Sequence, residues 1–337
     1  MDDIAGTQSQ TPKFGIGQPV TRTEDPRLLT GRGAYIDDID LPGQARGYVL
    51  RSPVAHGAVK RLETGAAQAM PGVLAVYTIA DLRAAGYGPF PFNMPIRNHD
   101  GTPPAIPARY ALAGDKVKHV GEPLAFIVAE TLGAAQLAAE AVEFEIEPLP
   151  AVTDPERALA EDAPRIHDDV GNLCLDWRYG DADAVDAAFA RAAHVTRLRL
   201  PISRVAVVPM ETRGAIADYD ATTEQFTLRV CTQGVHNMRQ TLAKFVLGID
   251  PEKLRVLSPD VGGSFGMKAQ QHPENLLVLH AARDLGRPVK WVDDRSGAFL
   301  SDCQGRDMLA KAELALDEEG NFLALRIEMF GNLGAYS

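Results

Sequence analysis

The sequence predicts an α+β protein built from two globular units. Three observations carry this reading. The 337 residues exceed one typical domain, and 45% hydrophobic with 23% charged residues is a composition that can fill two cores. Helical and strand periodicity stand side by side in "GAAQLAAEAVEFEIEPLP": an alanine-rich helix over 133–141 passes into Val142, Phe144 and Ile146 alternating with Glu143, Glu145 and Glu147. The second half then sets two helical stretches among short apolar strands.

Taken in order, residues 1–16 are polar and aperiodic and read as a flexible tail; a mixed segment over 17–150 forms the first unit. Residues 151–175, rich in Pro, Asp and Ala, read as a surface linker, and 176–337 as the second unit. There "HVTRLRLPI", with Val195, Leu198 and Leu200, and "QFTLRVCTQ" predict strands. "HNMRQTLAKFVLG" predicts a helix with Met238, Leu242, Phe245 and Val246 on one face and Gly248 as its stop. Leu254, Val256 and Val261 form an alternating strand that runs into "GGSFG". "HPENLLVLHAARDLGRP" is a helix opened by Pro273 and closed by Gly286 and Pro288. "PVKWVDD" and "NFLALRIEMF" close the order as strands, the last setting Leu323, Leu325, Ile327 and Met329 against Ala324, Arg326 and Glu328.

Composition excludes several classes. With 34 basic and 45 acidic residues, a net charge of -11 and no local basic patch, nucleic acid is not an expected partner. Cys174, Cys231 and Cys303 are too sparse and scattered for a zinc knuckle or an iron-sulfur cluster, and suit a reducing, cytoplasmic setting. The start "MDDIAGTQSQTPK" lacks a basic, apolar export signal, and no stretch approaches the roughly 20 apolar residues of a membrane span, so export would need a partner's signal.

The candidate site is the loop Gly262, Gly263, Ser264, Phe265, Gly266. It fails Gly-x-x-x-x-Gly-Lys-Ser/Thr, because Met267 stands where Gly is required, and its glycines are in the wrong register for Gly-x-Gly-x-x-Gly. What remains is backbone N–H groups without Cβ bulk, which serve either a tight strand-to-helix turn or the close approach of a ligand. Gln233 either offers an amide to a ligand or simply ends its strand. His272 and His280, with Glu274 between them, do not form His-Glu-x-x-His and point to no metal. Glu211 and Arg213 in "PMETRG" set an acid and an arginine around a turn, either a site or, the favoured reading, an internal ion pair fixing a loop.

Together these segments resemble the large, molybdenum-binding subunit of the xanthine oxidase family, in the bacterial branch that includes aerobic carbon monoxide dehydrogenase and split nicotinate dehydrogenase. "RTEDPRLLTGRGAYIDDIDLPG", "RSPVAHGAVKRLET", "MPGVLAVYTIADL" and "VGEPLAFIVAET" resemble the family's a/b hammerhead domain, in the family's order. "ETRGAIADYD", "LRVCTQGVHNMRQTLAKFVLGI", "LRVLSPDVGGSFGMK" and "GRPVKWVDDRSGAFLSDCQGRD" resemble the first half of its molybdopterin-binding α+β domain. The resemblance implies a molybdenum ion held by the dithiolene of molybdopterin cytosine dinucleotide, so that no protein side chain ligates the metal. By motif Gln233 matches the glutamine facing the apical oxo group. Gly262, Gly263, Ser264, Phe265 and Gly266 match the family's Gly-Gly-Gly-Phe-Gly loop against the pterin, with Phe265 as a wall of the substrate pocket.

Three departures stand out: Ser264 replaces the third glycine, Ala269 occupies the position of the glutamate of purine-oxidising members, and Val208 stands where many relatives carry Asn. The resemblance ends about midway through the family's large subunit, before its catalytic glutamate. It therefore implies a chain that completes its site with a second polypeptide, which carries the general base, and that works with a [2Fe-2S] subunit and an FAD subunit; a dimer of such heteromers is compatible with it. The implied reaction is hydroxylation of an N-heteroaromatic compound, or oxidation of an aldehyde, with water as the oxygen source. A truncated piece of a full-length subunit and a non-catalytic assembly or binding protein of the same fold are the alternatives.

Overall fold

A computed structural model describes residues 21–92 and 95–336, so the tail expected over 1–16 lies outside the described residues. Residues 21–34 belong to a small unit of their own, whose one-turn helix α1 (Asp25–Leu29) has Pro26 in its first turn and Asp25 held by the Arg22 guanidinium at 3.0 Å.

From Tyr35 onward the chain is organised by a seven-stranded mixed sheet. Its strands are β1 (Ala45–Arg51), β3 (Val73–Tyr77), β5 (Pro123–Ala129), β8 (Gly214–Asp220), β9 (Gln225–Val230), β10 (Leu254–Leu257) and β11 (Val289–Val292), in the order β10-β9-β8-β11-β1-β5-β3. β2 (Gly57–Glu63), β4 (Lys116–Val117) and β6 (Glu143–Pro148) form a second sheet, and β7 (His194–Val205), β12 (Gly305–Leu316) and β13 (Phe322–Gly331) a third. The architecture is α+β, as predicted.

β5 explains how the large sheet is covered. All seven of its residues are buried, because both faces carry a layer and a continuous apolar run is then favourable. Phe126 and Val128 face a core built with the helix at Pro273–Leu285. Ala125, Ile127 and Ala129 face Ala135, Ala138 and Ala139 of the helix at Leu132–Glu140. Alanine on that helix lets it lie close to the strand. Gly47 of β1 does the same within the sheet, since a Cβ there would stand 2.3 Å from the buried Phe126 ring.

The segments on either side of residues 151–175 meet in this one sheet. β1 pairs in parallel with β11 through Ala45↔Val289 and Arg46↔Lys290, and the buried Lys290 ammonium donates to the carbonyls of Asp37 at 2.7 Å and Ile39 at 2.9 Å. Within 151–175 the only regular element is a short turn of helix at Arg157–Leu159, and the Asn172 amide closes the segment on the carbonyls of Ala158 and Pro164.

The helix expected around residues 236–248 is present but not regular. An α-helix over Val235–Thr241 widens into a π-helical turn over Leu242–Leu247 that ends on Gly248 at φ +66°. The wider turn rotates the following side chains, so Ala243, Val246 and Leu247 join Met238 and Leu242 in the core. Phe245, expected on that face, is 59% exposed instead.

In the three-stranded sheet the register sets Leu200, Ala310 and Met329 in one row, Leu198, Ala312 and Ile327 in the next, and Thr196, Leu314 and Leu325 in a third. Leu198, Leu200, Leu325, Ile327 and Met329 are all exposed. The opposite face is dressed with charge: Arg197 and Arg326 pair with Glu313, and Arg326 lies over the Phe189 ring of the helix at Ala182–Ala190. One face of this sheet is therefore finished and the other is apolar and open. No helix among the described residues is long and apolar enough to cross a membrane.

Candidate cofactor platform

β9 and β10 run parallel with Leu254↔Phe226 to Leu257↔Arg229 in register, so the chain leaves both strands at the same end of the sheet. Gln233 follows β9 and the glycine loop follows β10, which brings the predicted site residues together. The Gln233 N–H and the Thr232 hydroxyl both donate to the Lys268 carbonyl, at 3.2 and 3.0 Å. The Gln233 side-chain Oε1 accepts from the Gly266 N–H at 3.1 Å and from the Ser264 hydroxyl. No hydrogen bond occupies the Gln233 amide nitrogen among the described residues.

The loop's backbone is left-handed at Gly263 (φ +98°), Phe265 (φ +51°) and Gly266 (φ +97°). The N–H groups of Gly263, Ser264 and Phe265 carry no hydrogen bond among the described residues. Space is tight beneath them. A Cβ on Gly262 would stand 2.5 Å from Glu211 Cβ, and one on Gly263 would meet Pro209 and Phe265 at 3.2 Å. Ser264 is buried, whereas Phe265 is 80% exposed and displays its ring to solvent.

Two buried charge groups support the platform. The Lys268 side chain, wholly inaccessible, donates to the Glu211 carbonyl at 3.0 Å and its carboxylate at 2.7 Å, while that carboxylate also accepts the Gly262 N–H at 2.8 Å. Arg213 does not pair with Glu211, as the local sequence suggested, because the two side chains leave the turn in different directions. Its guanidinium meets Glu274 at 2.6 Å, Asp302 at 2.6 Å and Asp293 at 3.3 Å, and Arg51 reaches Glu274 at 2.8 Å. Burial alone would raise the Glu274 carboxyl and lower the Arg213 guanidinium, but their mutual attraction wins and holds both charged. At Asp293 burial wins over Arg51 and Arg213 and pushes the carboxyl up to about 6. Burial also holds His272 neutral; one of its ring nitrogens lies 3.1 Å from the Met267 carbonyl.

Sequence reasoning missed Lys268, although its place two residues after the loop was the available signal, and it missed the contact of Ser264 with Gln233. No group of three His, Cys, Asp or Glu side chains among the described residues is arranged to hold a metal ion. A metal would have to arrive within a larger cofactor. The residues present fit one: open amide donors, an unpartnered carboxamide nitrogen, and glycines where a Cβ would obstruct close approach.

This fold and platform define a molybdopterin-binding protein. The model of the molybdopterin cofactor-binding domain matches residues 166–337, and that of the aldehyde oxidase and xanthine dehydrogenase a/b hammerhead domain matches 30–150. The chain belongs to the aldehyde oxidase and xanthine dehydrogenase family, that is, the xanthine oxidase family of molybdenum hydroxylases. It is 38% identical over 330 residues to the nicotine 6-hydroxylase large subunit of Paenarthrobacter nicotinovorans, covering 95% of this chain and 38% of that one. To the carbon monoxide dehydrogenase large chain of Hydrogenophaga pseudoflava it is 35% identical, covering 93% and 39%. The crystal structure of quinoline 2-oxidoreductase from Pseudomonas putida 86 superposes with a TM-score of 0.82 at 38% identity, covering 92% of this chain and 38% of that one. The chain thus spans about two fifths of the length of these relatives.

Proposed function

We propose that this chain forms the first part of the molybdenum site of a hydroxylase that adds a water-derived oxygen to an N-heteroaromatic ring. Similarity to a nicotine hydroxylase and a quinoline oxidoreductase favours the ring over the aldehyde. The observation that carries the proposal is the platform of Gln233 and Gly262–Gly266, whose Gly263, Ser264 and Phe265 N–H groups have no acceptor among the described residues. Gly263, Ser264 and Phe265 would lie against molybdopterin cytosine dinucleotide with their amides. The Gln233 carboxamide would donate to the reacting centre, and the exposed Phe265 ring would form one wall for a planar substrate. When bound, the cofactor supplies the two-electron redox centre and activates water.

The chain's own residues bind, orient and desolvate; the proton acceptor for the attacking group is assigned to a further segment of the large subunit, on a second polypeptide. The open apolar face of the β7, β12, β13 sheet supports such a permanent neighbour. We assign the [2Fe-2S] clusters and FAD that carry electrons away to further subunits. Three cysteines in 337 residues, with no Cys-x-x-Cys pair, suit a reducing, cytoplasmic setting.

The test is Gln233→Ala in the complex that co-purifies with this chain. Molybdenum and pterin are retained and turnover falls roughly 100- to 1,000-fold, the scale for removing one positioned donor. A wild-type complex without molybdenum or pterin would favour the non-catalytic binding protein, and an unchanged rate would reduce Gln233 to a strand end. Gly263→Ala is the poorer probe, since φ +98° strains the backbone whatever the cofactor does.

A further inference from the structure

We infer that Ser264 is a positioning residue: its hydroxyl sets which way the Gln233 carboxamide faces, and Lys268 and Glu211 hold it in place to do so. The inference rests on the proposed function for its purpose, but not for its geometry.

A carboxamide has two nearly isosteric ends, and what surrounds it decides which end faces a ligand. Two donors that cannot act as acceptors fix the direction here. The Gly266 N–H, 3.1 Å away, can only donate, so the atom it meets is the Gln233 oxygen. The Lys268 N–H, 3.0 Å from Ser264 Oγ, can only donate, so the serine oxygen accepts and its proton is free to pass to Gln233 Oε1. The order is then Lys268 N–H to Ser264 hydroxyl to Gln233 Oε1, which also takes the Gly266 N–H. Both lone pairs of Oε1 are filled, and the amide nitrogen, unpartnered among the described residues, faces out beside the open loop amides. A flipped amide would set NH2 against the Gly266 N–H, donor against donor.

The serine is itself held. It is buried, and both ends of the loop are tied to one residue: Gly262 exchanges hydrogen bonds with Glu211 at 2.8 and 3.0 Å, and the buried Lys268 ammonium grips the same Glu211. The position that departs from the family's third glycine therefore has work that a glycine cannot do. With no hydroxyl, Oε1 keeps one donor of two, and the Lys268 N–H loses its acceptor within the fold.

The experiment uses the full chain, deuterated and carrying 15N-glutamine, with the Gln233 side-chain resonance assigned by its absence in Gln233→Glu. In wild type its 1H–15N NOE matches that of the rigid backbone. In Ser264→Ala and Ser264→Gly it drops to the value of surface glutamines, and Ser264→Thr, which keeps the hydroxyl, restores it. Ser264→Gly keeps the test decisive if Ser264→Ala folds poorly. Equal mobility of Gln233 in wild type and Ser264→Gly would overturn the inference, as would failure of Ser264→Thr to restore rigidity. In the co-purified complex Ser264→Gly lowers kcat about tenfold with KM within about twofold and molybdenum retained, the scale of one hydrogen bond to a polarised group. If the amide loosens yet neither Ser264→Gly nor Gln233→Ala changes turnover, the positioning stands and the proposed function falls.

Discussion

Glu211→Ala tests whether a buried ion pair holds the cofactor platform. The substitution takes from Lys268, whose side chain has no exposure, its one carboxylate partner among the described residues, and from the Gly262 N–H its acceptor at 2.8 Å. Breaking a buried pair from one side costs about 3–5 kcal/mol, and an orphaned buried N–H about 1–3 kcal/mol. Both losses fall on one loop and do not add, because the loop relaxes to hydrate both groups. About 4 kcal/mol is the expected total. Urea unfolding of the full chain, followed through the buried Trp291, reads it as a lower midpoint with an unchanged slope. The double variant Glu211→Gln with Lys268→Met removes the buried charge altogether and recovers all but about 2 kcal/mol. A loss below about 1 kcal/mol in Glu211→Ala would refute the reasoning, since the pair would then not be what pins the loop.

Two further outcomes follow from the same region. Between about pH 4.5 and 6 the folded chain keeps a proton on Asp293 that the unfolded chain, at its ordinary 3.8, has released, so this group's contribution to stability falls as pH rises through that window. Asp293→Asn should flatten that limb of the pH-dependent unfolding curve, and an unaltered slope would assign it elsewhere; Glu274, held low, acts in the opposite sense only below its ordinary 4.5. Val208 sits at φ +44° beside Pro209, a left-handed conformation that a β-branched residue adopts at a cost of about 1–3 kcal/mol. Val208→Asn should relieve about 1 kcal/mol, because Asn tolerates this region, and a melting temperature raised by roughly 2 °C would show it.

Much of the fold was legible because it is local. The stretch from Pro273 to Gly286 carries its own start, stop and apolar period, and the helix followed by Val142, Phe144 and Ile146 announces its change of period at one residue. The π-helical turn was not legible: nothing in "TLAKFVLG" marks the extra residue in the turn that exposes Phe245. The loop was readable as glycines and became a site only through its likeness to a family motif. What orders it was hidden, because Glu211 and Lys268 lie 57 residues apart and Ser264 and Gln233 lie 31 apart, and hydrogen bonds of that span leave no periodic trace. The shared sheet was hidden for the same reason, since Arg46↔Lys290 is a pairing that no window of sequence contains.

That sheet bears on how such proteins can be cut and recombined. Sequence boundaries near residue 150 invite treatment of 30–150 and 166–337 as interchangeable modules. In space the cut would sever β1 from β11, baring a strand edge on each piece, and would take the acceptor carbonyls of Asp37 and Ile39 from the buried Lys290. Each piece would then carry a sticky margin prone to pair with any chain at hand. A chimera swapping one segment should carry the matching seam from the same parent, with Ala45, Arg46, Val289 and Lys290 kept as a set.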